Sequence, residues 1–426
     1  MQVLDAPQAL PKEVPDQGFP CRACGAPVRF SVVDLGLHPP CQNVVRPEDL
    51  GKGEQFFPLH AFVCHECSLV QIDEVVPPEA IFAGEYAYFS SYSDSWVAHA
   101  RRYVDAVAER FGLGEDSLMV EVASNDGYLL QHAVARGIPC LGVEPAANVA
   151  EAAREKGVPT RVAFFGEDEA LAMRKEGIRA DLIAANNVLA HTPHLRSFVA
   201  GLKALLAEGG VVTVEFPHLV RLLDGNQFDT IYHEHFSYLS FTAVARVFER
   251  HGLVPFDVEE LPTHGGSLRV YARHAEDATK PVTDRAEALR QRERSWGVDD
   301  LRTYAAFGER VRRTKHGLLD FLLSAQRAGR TVAGYGAPGK GNTLLNACGV
   351  TTDLLAFTVD RNPYKQGTYT PGARIPVFAP DKIFETRPDY VLILPWNLRD
   401  EISAQMAGIR EWGGRFVVPI PEVEVF

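Results

Sequence analysis

Four of the seven cysteines form two pairs with the same spacing, Cys21-Arg-Ala-Cys24 and Cys64-His-Glu-Cys67. Two such turns can place four thiolates tetrahedrally around one Zn²⁺, and four protein ligands leave no open position for substrate. Gly25 suits the tight turn after the first pair, because glycine adopts positive φ without strain. The spacing therefore predicts a structural zinc held by Cys21, Cys24, Cys64 and Cys67.

A second cluster contains residue types that could take part in catalysis. It is Tyr232-His-Glu-His235, which follows an apolar run ending at Phe216. His233 and His235 are two positions apart, so one helix face would not present both to a single metal. A histidine is a suitable general base near neutral pH, because its ordinary pKa is about 6.5. We predict that one of these histidines is a general base and that Tyr232 and Glu234 tune or orient groups near it; a solvated loop with ordinary core aromatics is the alternative.

The elements that must position this cluster alternate between strands and helices. Buried strands are predicted at 118–123, 140–144, 180–185 and 210–216, with helices at 128–136 and 146–156. This alternation is typical of a parallel, doubly wound sheet, whose ligands bind at the carboxyl ends of the strands. The chain is therefore predicted to contain an α/β domain of Rossmann-like type.

Two acids follow this pattern. Glu121 lies in the first strand, and Glu144 ends the second, where an acid commonly accepts ribose hydroxyls. The turn from Ala123 to Gly127 lacks the successive glycines that a pyrophosphate needs. The pattern fits S-adenosylmethionine better than NAD, and a plain sheet with surface acids remains the alternative.

A second strand–turn–helix pattern contains Gly334-Tyr-Gly-Ala-Pro-Gly-Lys-Gly341, and Asp360 closes its next strand. A Walker A loop fails here, because Gly341 follows Lys340 where Ser or Thr is required. A second NAD site and a backbone anion site for a nucleotide diphosphate both remain open. Arg361 and Lys365 would add positive charge beside Lys340.

The composition and net charge limit the kinds of partner that the protein can bind. The chain has 426 residues, 46% of them in the hydrophobic set, and a net charge of −12. The charge disfavours nucleic acid and anionic membranes as partners. No transmembrane or signal segment is expected, and the compartment is predicted to be cytoplasmic, with reduced cysteines. A monomer is the weakly favoured oligomeric state.

The order of these motifs is specific when they are combined. The four cysteines are followed by Tyr86-Ala-Tyr88-Phe-Ser-Ser-Tyr-Ser93, Glu121–Gly127, Asn186-Asn-Val-Leu-Ala-His191, Tyr232–Ser240 and Gly334–Thr343. Together they resemble the S-adenosylmethionine-dependent C-methyltransferases that branch nucleotide-linked deoxysugars. The resemblance runs from Cys21 to about Trp396. One departure is Ala123, where the family usually carries glycine.

The resemblance implies a zinc-binding domain over 1–75, a Rossmann-like class I methyltransferase domain over 76–261 and a second Rossmann-like α/β domain over 262–426. It also implies the catalytic residues: His235 is the base that takes the proton from the sugar carbon, Tyr232, Glu234 and His191 are its neighbours around the sugar, and either Tyr86 or Tyr88 reaches the sugar. The predicted cofactor residues are Glu121, Ala123, Ser124, Asn125, Gly127, Glu144, Asn186 and Asn187. The predicted substrate residues are Tyr335, Gly336, Lys340, Asn342, Asp360, Arg361 and Lys365.

A carbon attacks a sulfonium methyl group only when it carries negative charge, which an adjacent ketone supplies as an enolate. The expected substrate is therefore a keto-sugar, with a 4-keto-6-deoxy sugar on a dTDP-type carrier, methylated at C3, as the favoured form. An NAD-dependent oxidoreductase of nucleotide sugars and a non-catalytic nucleotide-sugar binding module are the competing hypotheses.

Overall fold

The computed structural model describes residues 9–14, 18–77 and 89–426. Tyr86 and Tyr88 lie outside these residues. Within them, three sheets succeed one another along the chain, and a short hairpin joins Phe19–Pro20 to Pro27–Val28. The α-helices are Asp94–Phe111, Leu130–Ala135, Ala147–Glu155, Glu167–Lys175, Leu195–Leu205, Leu219–Asp224, Phe241–Arg250, Asp284–Trp296, Arg302–Ala305, Phe307–Arg327, Gly339–Cys348, Asp381–Thr386 and Arg399–Gln405.

The first sheet is antiparallel and has four strands. In spatial order these are Ser237–Tyr238, Val70–Ile72, Phe57–Val63 and Phe30–His38. Three strands come from the cysteine-rich segment, but Ser237–Tyr238 comes from the chain just after the histidine cluster. The cluster is thus attached by backbone hydrogen bonds to a sheet that is remote in sequence.

The second sheet has seven strands with a buried, apolar core on both faces. In spatial order they are Leu253–Leu261, Ser267–His274, Leu206–Pro217, Ala180–Asn186, Met119–Val122, Cys140–Glu144 and Thr160–Val162. The strand Ser267–His274 is antiparallel to both of its neighbours, whereas the other pairs are parallel. The predicted strands and helices of this region are confirmed, with shifts of a few residues at their ends.

The strand Ser267–His274 corrects one expectation. The charged pattern from about 262 to 330 predicts mostly helix, but the first part of this stretch forms the strand, which extends the seven-stranded sheet by hairpin pairing with Leu253–Leu261. The predicted domain boundary at 261/262 falls in the hairpin's turn. Helices dominate only from Asp284 onward.

The third sheet has six strands, in the spatial order Val377–Phe378, Thr358–Val359, Val332–Tyr335, Tyr390–Ile393, Arg415–Val418 and Glu424–Val425. All its pairs are parallel except the last. The strand that follows Val332–Tyr335 along the chain, Thr358–Val359, pairs on one side of it, and the later strand Tyr390–Ile393 pairs on the other side. This change in strand order creates a switch point beside the predicted glycine turn, Gly334–Gly341. The fold class is confirmed: the chain is α/β with two Rossmann-like sheets. No described helix is long and apolar enough to cross a bilayer.

Candidate functional site

The two cysteine pairs converge as their spacing predicts. The sulfur atoms of Cys21, Cys24, Cys64 and Cys67 all lie within 4.8 Å of one another. The Sγ–Sγ distance is 3.5 Å for Cys21–Cys67 and also for Cys24–Cys64. Tetrahedral zinc with bonds of about 2.3 Å separates its sulfurs by about 3.8 Å, so the four residues fit the ion.

Both turns of this metal site share one backbone geometry. The amide of Gly25 donates to the carbonyl of Cys21, and that of Ser68 to the carbonyl of Cys64, each at 2.9 Å. Gly25 has φ of 80° and Ser68 has φ of 61°. The role predicted for Gly25 is confirmed, and the second turn achieves the same shape with a serine.

A cavity of about 550 Å³ opens at the carboxyl ends of the seven-stranded sheet. Its wall includes the predicted cofactor residues Ala123, Asn125, Glu144, Asn186 and Asn187. Glu121, Ser124 and Gly127 do not line it. Glu121 lies in the buried strand, where burial raises its pKa well above the ordinary value, and Ser124 is fully buried.

The acid that ends the second strand is fixed by the turn before it. One oxygen of Glu144 accepts the amide N–H of Asn125 at 3.0 Å, and the other accepts that of Ala146 at 2.9 Å. Burial nevertheless raises the pKa of Glu144. Each carboxylate oxygen retains a further lone pair for a ligand in the cavity.

The turn after the first strand contains the departure from the family pattern. Ala123 has φ of 56° and Asn125 has φ of 49°, both in the left-handed region. An alanine there carries a steric cost that glycine does not, of about 1–2 kcal/mol. The glycine usual in the family therefore matches the backbone of this turn.

Replacing Ala123 with glycine should raise the free energy of unfolding by about 0.5–1 kcal/mol, since relief of the left-handed strain outweighs the greater freedom of the unfolded chain. The matched control is Ala150→Gly within the helix Ala147–Glu155, which should lower it by about 1 kcal/mol. Thermal unfolding of both variants measures the two signs. Equal losses for the two would show that the turn is not strained at Ala123.

The predicted catalytic residues that the structure describes come together on the same cavity. His191, Tyr232, Glu234 and His235 all line it. The rings of His191 and His235 meet edge to face, with centroids 4.6 Å apart. His233 does not line it, because its Nε2 faces the carbonyl of Pro58 at 3.1 Å.

Backbone carbonyls determine which nitrogen of each histidine carries the proton. Nδ1 of His235 donates to the carbonyl of Thr230 at 2.9 Å, so its Nε2 carries the lone pair and accepts from the Tyr232 hydroxyl at 3.0 Å. Nδ1 of His191 likewise donates to the carbonyl of Glu234 at 2.8 Å. Burial lowers the pKa of His191 to about 4 and that of His235 well below its ordinary value. Both rings are therefore neutral near pH 7.

Glu234 connects the cavity to the other two domains. The Cys41 thiol donates to the carboxylate of Glu234 at a distance of 3.6 Å. Burial raises the pKa of Glu234 to about 7, although the charge of Lys365 opposes this shift. Lys365 donates to the carbonyl of Ala337 in the glycine turn at 2.8 Å. The glycine turn thus lies beside the cluster of His191, Tyr232, Glu234 and His235.

The seven C-terminal residues predicted to hold substrate lie outside the cavity wall, and their side chains make different kinds of contact. None of the seven is part of the described wall of the cavity. Lys340 lies over the ring of Trp396 at 4.7 Å and donates to Asn397 at 2.8 Å. Asp360 accepts the amide N–H groups of Ala337 and Asn362, and Arg361 is exposed.

Tyr335, Gly336 and Asn342 have evident structural contacts. The ring of Tyr335 is buried in the C-terminal core, and its hydroxyl donates to Gln405 at 3.2 Å. Gly336 has φ of 90°, and a Cβ there would approach Pro395 to 2.6 Å. The side-chain amide of Asn342 donates to the carbonyl of Cys41 at 2.7 Å.

Gln42, Trp96 and His264 are among the cavity residues that the sequence did not predict. Gln42 comes from the N-terminal domain, and Trp96 from the first helix after the tyrosine motif. His264 lies in the hairpin turn Thr263–Gly265. Its Gly265-Gly266 neighbours are the one available signal, since glycines after an apolar run indicate a hairpin turn.

Three families of known domains match successive parts of the chain. Residues 21–82 match a family described as a zinc binding domain, 96–257 a methyltransferase domain and 262–421 a C-methyltransferase C-terminal domain. The C-methyltransferase NovU of Streptomyces niveus is 40% identical over 409 residues, which are 95% of this chain and 96% of NovU.

Solved structures give weaker likenesses. An S-adenosylmethionine-dependent methyltransferase from Clostridium acetobutylicum is 13% identical with a TM-score of 0.35, over 42% of this chain and 92% of that one. Magnesium protoporphyrin IX methyltransferase from Synechocystis is 15% identical with a TM-score of 0.32, over 46% and 88%. Scores this low support no inference. On the three family matches and the likeness to NovU, the chain belongs to the C-methyltransferases that join a zinc binding domain, a methyltransferase domain and a C-methyltransferase C-terminal domain.

Proposed function

We propose that the chain transfers the methyl group of S-adenosylmethionine to the carbon next to the ketone, C3, of a nucleotide-linked 4-keto-deoxysugar. The observation that carries this proposal is the pair of neutral histidines, 4.6 Å apart, on the cavity that the sheet's cofactor turns also line. A carbon nucleophile needs a base to remove its proton. O- and N-nucleophiles already have a lone pair and need no such group to create one.

The cavity residues fit the proposed methyl donor. The side-chain oxygen of Asn186 and both amide atoms of Asn187 are buried without a hydrogen-bond partner among the described residues. Such groups are costly unless a ligand satisfies them. Glu144, with its spare lone pairs, is positioned for ribose hydroxyls. When bound, S-adenosylmethionine supplies an electrophilic methyl group.

The chain's own residues then make the carbon nucleophilic. Nε2 of His235 takes the proton from the carbon next to the ketone, and the C–H electron pair becomes part of the enolate. The enolate carbon forms the new C–C bond as the methyl–sulfur bond breaks, leaving S-adenosylhomocysteine. Tyr232 must release Nε2 for this step, so it exchanges its hydrogen bond to His235 for one to the sugar.

Two lysines of the C-terminal domain that contains the turn Gly334–Gly341, here called the glycine-turn domain, are the reason for proposing a nucleotide-linked substrate. Lys340 is close enough to the catalytic cluster for its charge to contribute to the lowered pKa of His235, although burial is the main cause. Lys365 has the corresponding effect on Glu234. A diphosphate beside these cations would leave its sugar within reach of His235.

Lys340→Ala should weaken binding of dTDP by about tenfold or more, because one charge-assisted contact to phosphate is lost. The affinity for S-adenosylhomocysteine should remain unchanged. Isothermal titration measures both. The matched control is Lys382→Ala in the same domain, a lysine paired with Glu385 at the surface. Equal losses for both ligands in Lys340→Ala would contradict the assignment of the diphosphate site.

A direct assay tests the proposed function. The zinc-loaded protein is incubated with S-adenosylmethionine carrying a ¹³C methyl group and with a dTDP-linked 4-keto-6-deoxy sugar. We expect a ¹³C methyl resonance coupled to C3 of the product. A label on oxygen or nitrogen, or transfer to a sugar without the ketone, would reject the enolate route.

A further inference from the structure

His264 has no role in the reaction as derived so far, although it lines the same cavity as His191 and His235. It lies in the turn Thr263–Gly265, between the strands Leu253–Leu261 and Ser267–His274. The turn sits where the seven-stranded sheet meets the glycine-turn domain, because a Cβ on Gly265 would approach Trp396 to 2.8 Å. This is the region in which the sugar of a nucleotide-linked substrate would lie.

The backbone of His264 is unfavourable for the residue it carries. Its φ is 55° and its ψ 23°, in the left-handed region that glycine and asparagine adopt more readily. The surroundings hold it there: Gln227 donates to the carbonyl of Gly265 at 3.0 Å, and Ser267 donates to that of Thr263 at 2.9 Å. Strained non-glycine residues of this kind cluster at functional sites.

The imidazole is held in place but has a free hydrogen-bonding atom. Its ring packs edge-on against Trp96, with centroids 5.2 Å apart, and Trp96 stacks on His99 at 4.9 Å. His99 is in turn bound to the buried carboxylate of Glu215 at 3.0 Å. Nδ1 of His264 is buried without a hydrogen-bond partner in the described part of the chain.

The ring is also neutral. Burial and the charge of Lys340 lower the pKa of His264 to about 4, so at pH 7 it has one N–H and one lone pair. The N–H groups nearest to it already have partners: Nδ1 of His191 and Nδ1 of His235 donate to carbonyls, and Lys340 donates to Asn397. The side-chain amide of Asn187 also lacks a partner among the described residues, but it is the group assigned above to the methyl donor.

We propose that His264 is a catalytic residue whose N–H donates to the ketone oxygen of the sugar while negative charge builds on it. This inference rests on the proposed function. As His235 removes the proton, the electron pair moves onto the ketone oxygen, and the hydrogen bond from His264 strengthens. When the new C–C bond forms, the carbonyl is restored. His264 neither gains nor loses a proton over the reaction.

The test separates enolate formation from binding. In D₂O with S-adenosylhomocysteine bound, the wild-type protein should exchange the proton next to the ketone of a dTDP-linked 4-keto-6-deoxy sugar. His264→Gly removes the donor and relaxes the backbone. We expect its exchange rate at saturating sugar to fall by about 10²–10³-fold, the usual effect of losing one such donor. Its affinity for S-adenosylhomocysteine and its thermal midpoint should not fall.

A second variant and a control complete the test. His264→Asn tolerates the same backbone and retains a side-chain N–H, so its loss should be smaller than that of His264→Gly. If the glycine variant folds poorly, His264→Ala removes the same donor, and exchange in His264→Ala at the wild-type rate rejects the proposal. The control is His316→Gln, an exposed histidine, which should exchange normally. Wild-type exchange in His264→Gly, or weaker sugar binding with an unchanged saturated rate, would overturn the role of His264. Absence of exchange in the wild type would reject the proposed function instead.

Discussion

His235→Asn should lower the rate of exchange of the proton next to the ketone by orders of magnitude, together with that of methyl transfer, while both ligands still bind. The ring supplies a neutral Nε2 whose orientation is set by the hydrogen bond from Nδ1 to the carbonyl of Thr230. An asparagine can keep a contact of that kind but has no basic nitrogen. General-base catalysis contributes about 10²–10⁴-fold, so exchange measured by NMR in D₂O should fall by that factor.

The neighbouring histidine is a matched control. His233→Asn changes the same residue type two positions away, where the ring contacts the carbonyl of Pro58 outside the cavity. It should retain most of the exchange. If His235→Asn exchanges at the wild-type rate, His235 is not the base, and Tyr232 or His191 becomes the candidate.

The pH dependence of the proton-exchange rate should report the lowered pKa of His235. The pKa of His235 is lowered well below its ordinary value by burial, by His191 and by other nearby charges. A base is active when deprotonated, so the rate should fall only at pH values below about 6.5 and stay level from there to pH 8. An acid limb centred above pH 7 would contradict the buried, neutral ring.

Removal of zinc should have the largest effect on the fold. Structural zinc contributes binding free energy directly to folding, about 10–16 kcal/mol in small zinc domains at pH 7. We expect about one zinc per chain by metal analysis, and Cys64→Ser should give poorly soluble protein. Zinc-free protein with unchanged thermal stability would end the structural assignment.

The effect of zinc should also reach the catalytic cluster. Arg22 lies between the two cysteines of the first turn, and its guanidinium donates to the carbonyls of Ile72 at 2.5 Å and Phe236 at 3.1 Å. Phe236 directly follows His235. Arg22→Met should therefore lower the proton-exchange rate while retaining zinc. Arg29→Met, which changes an arginine half-exposed at the surface, is the control.

Residue spacing was sufficient to predict the metal site and the order of elements around the cavity. Both depend on local rules: a Cys-x-x-Cys turn closes over four residues, and a buried strand is a short apolar run. The strand pattern also predicted Glu144 at the end of a strand. The resemblance to the C-methyltransferases supplied His191, Tyr232, Glu234 and His235 together, and these four share one cavity.

The glycine turn shows why spacing was insufficient elsewhere. Its glycines fit a phosphate site, but those at 336 and 341 also allow close approach of Pro395 and Leu394. Tyr335 ends a strand, and alternation directs its ring into the core rather than toward a ligand. His264 and Gln42 reach the cavity through contacts between segments far apart in sequence, which no local pattern encodes.

The two-residue strand Ser237–Tyr238 has a consequence for the history of this chain. It belongs by sequence to the methyltransferase segment but completes the sheet of the zinc-binding segment. Exchange of either segment between relatives by recombination would bring together an edge and a strand that had not been selected to pair, two residues after the proposed base His235. We therefore expect chimaeras that take these two segments from different relatives to fold less stably than either parent.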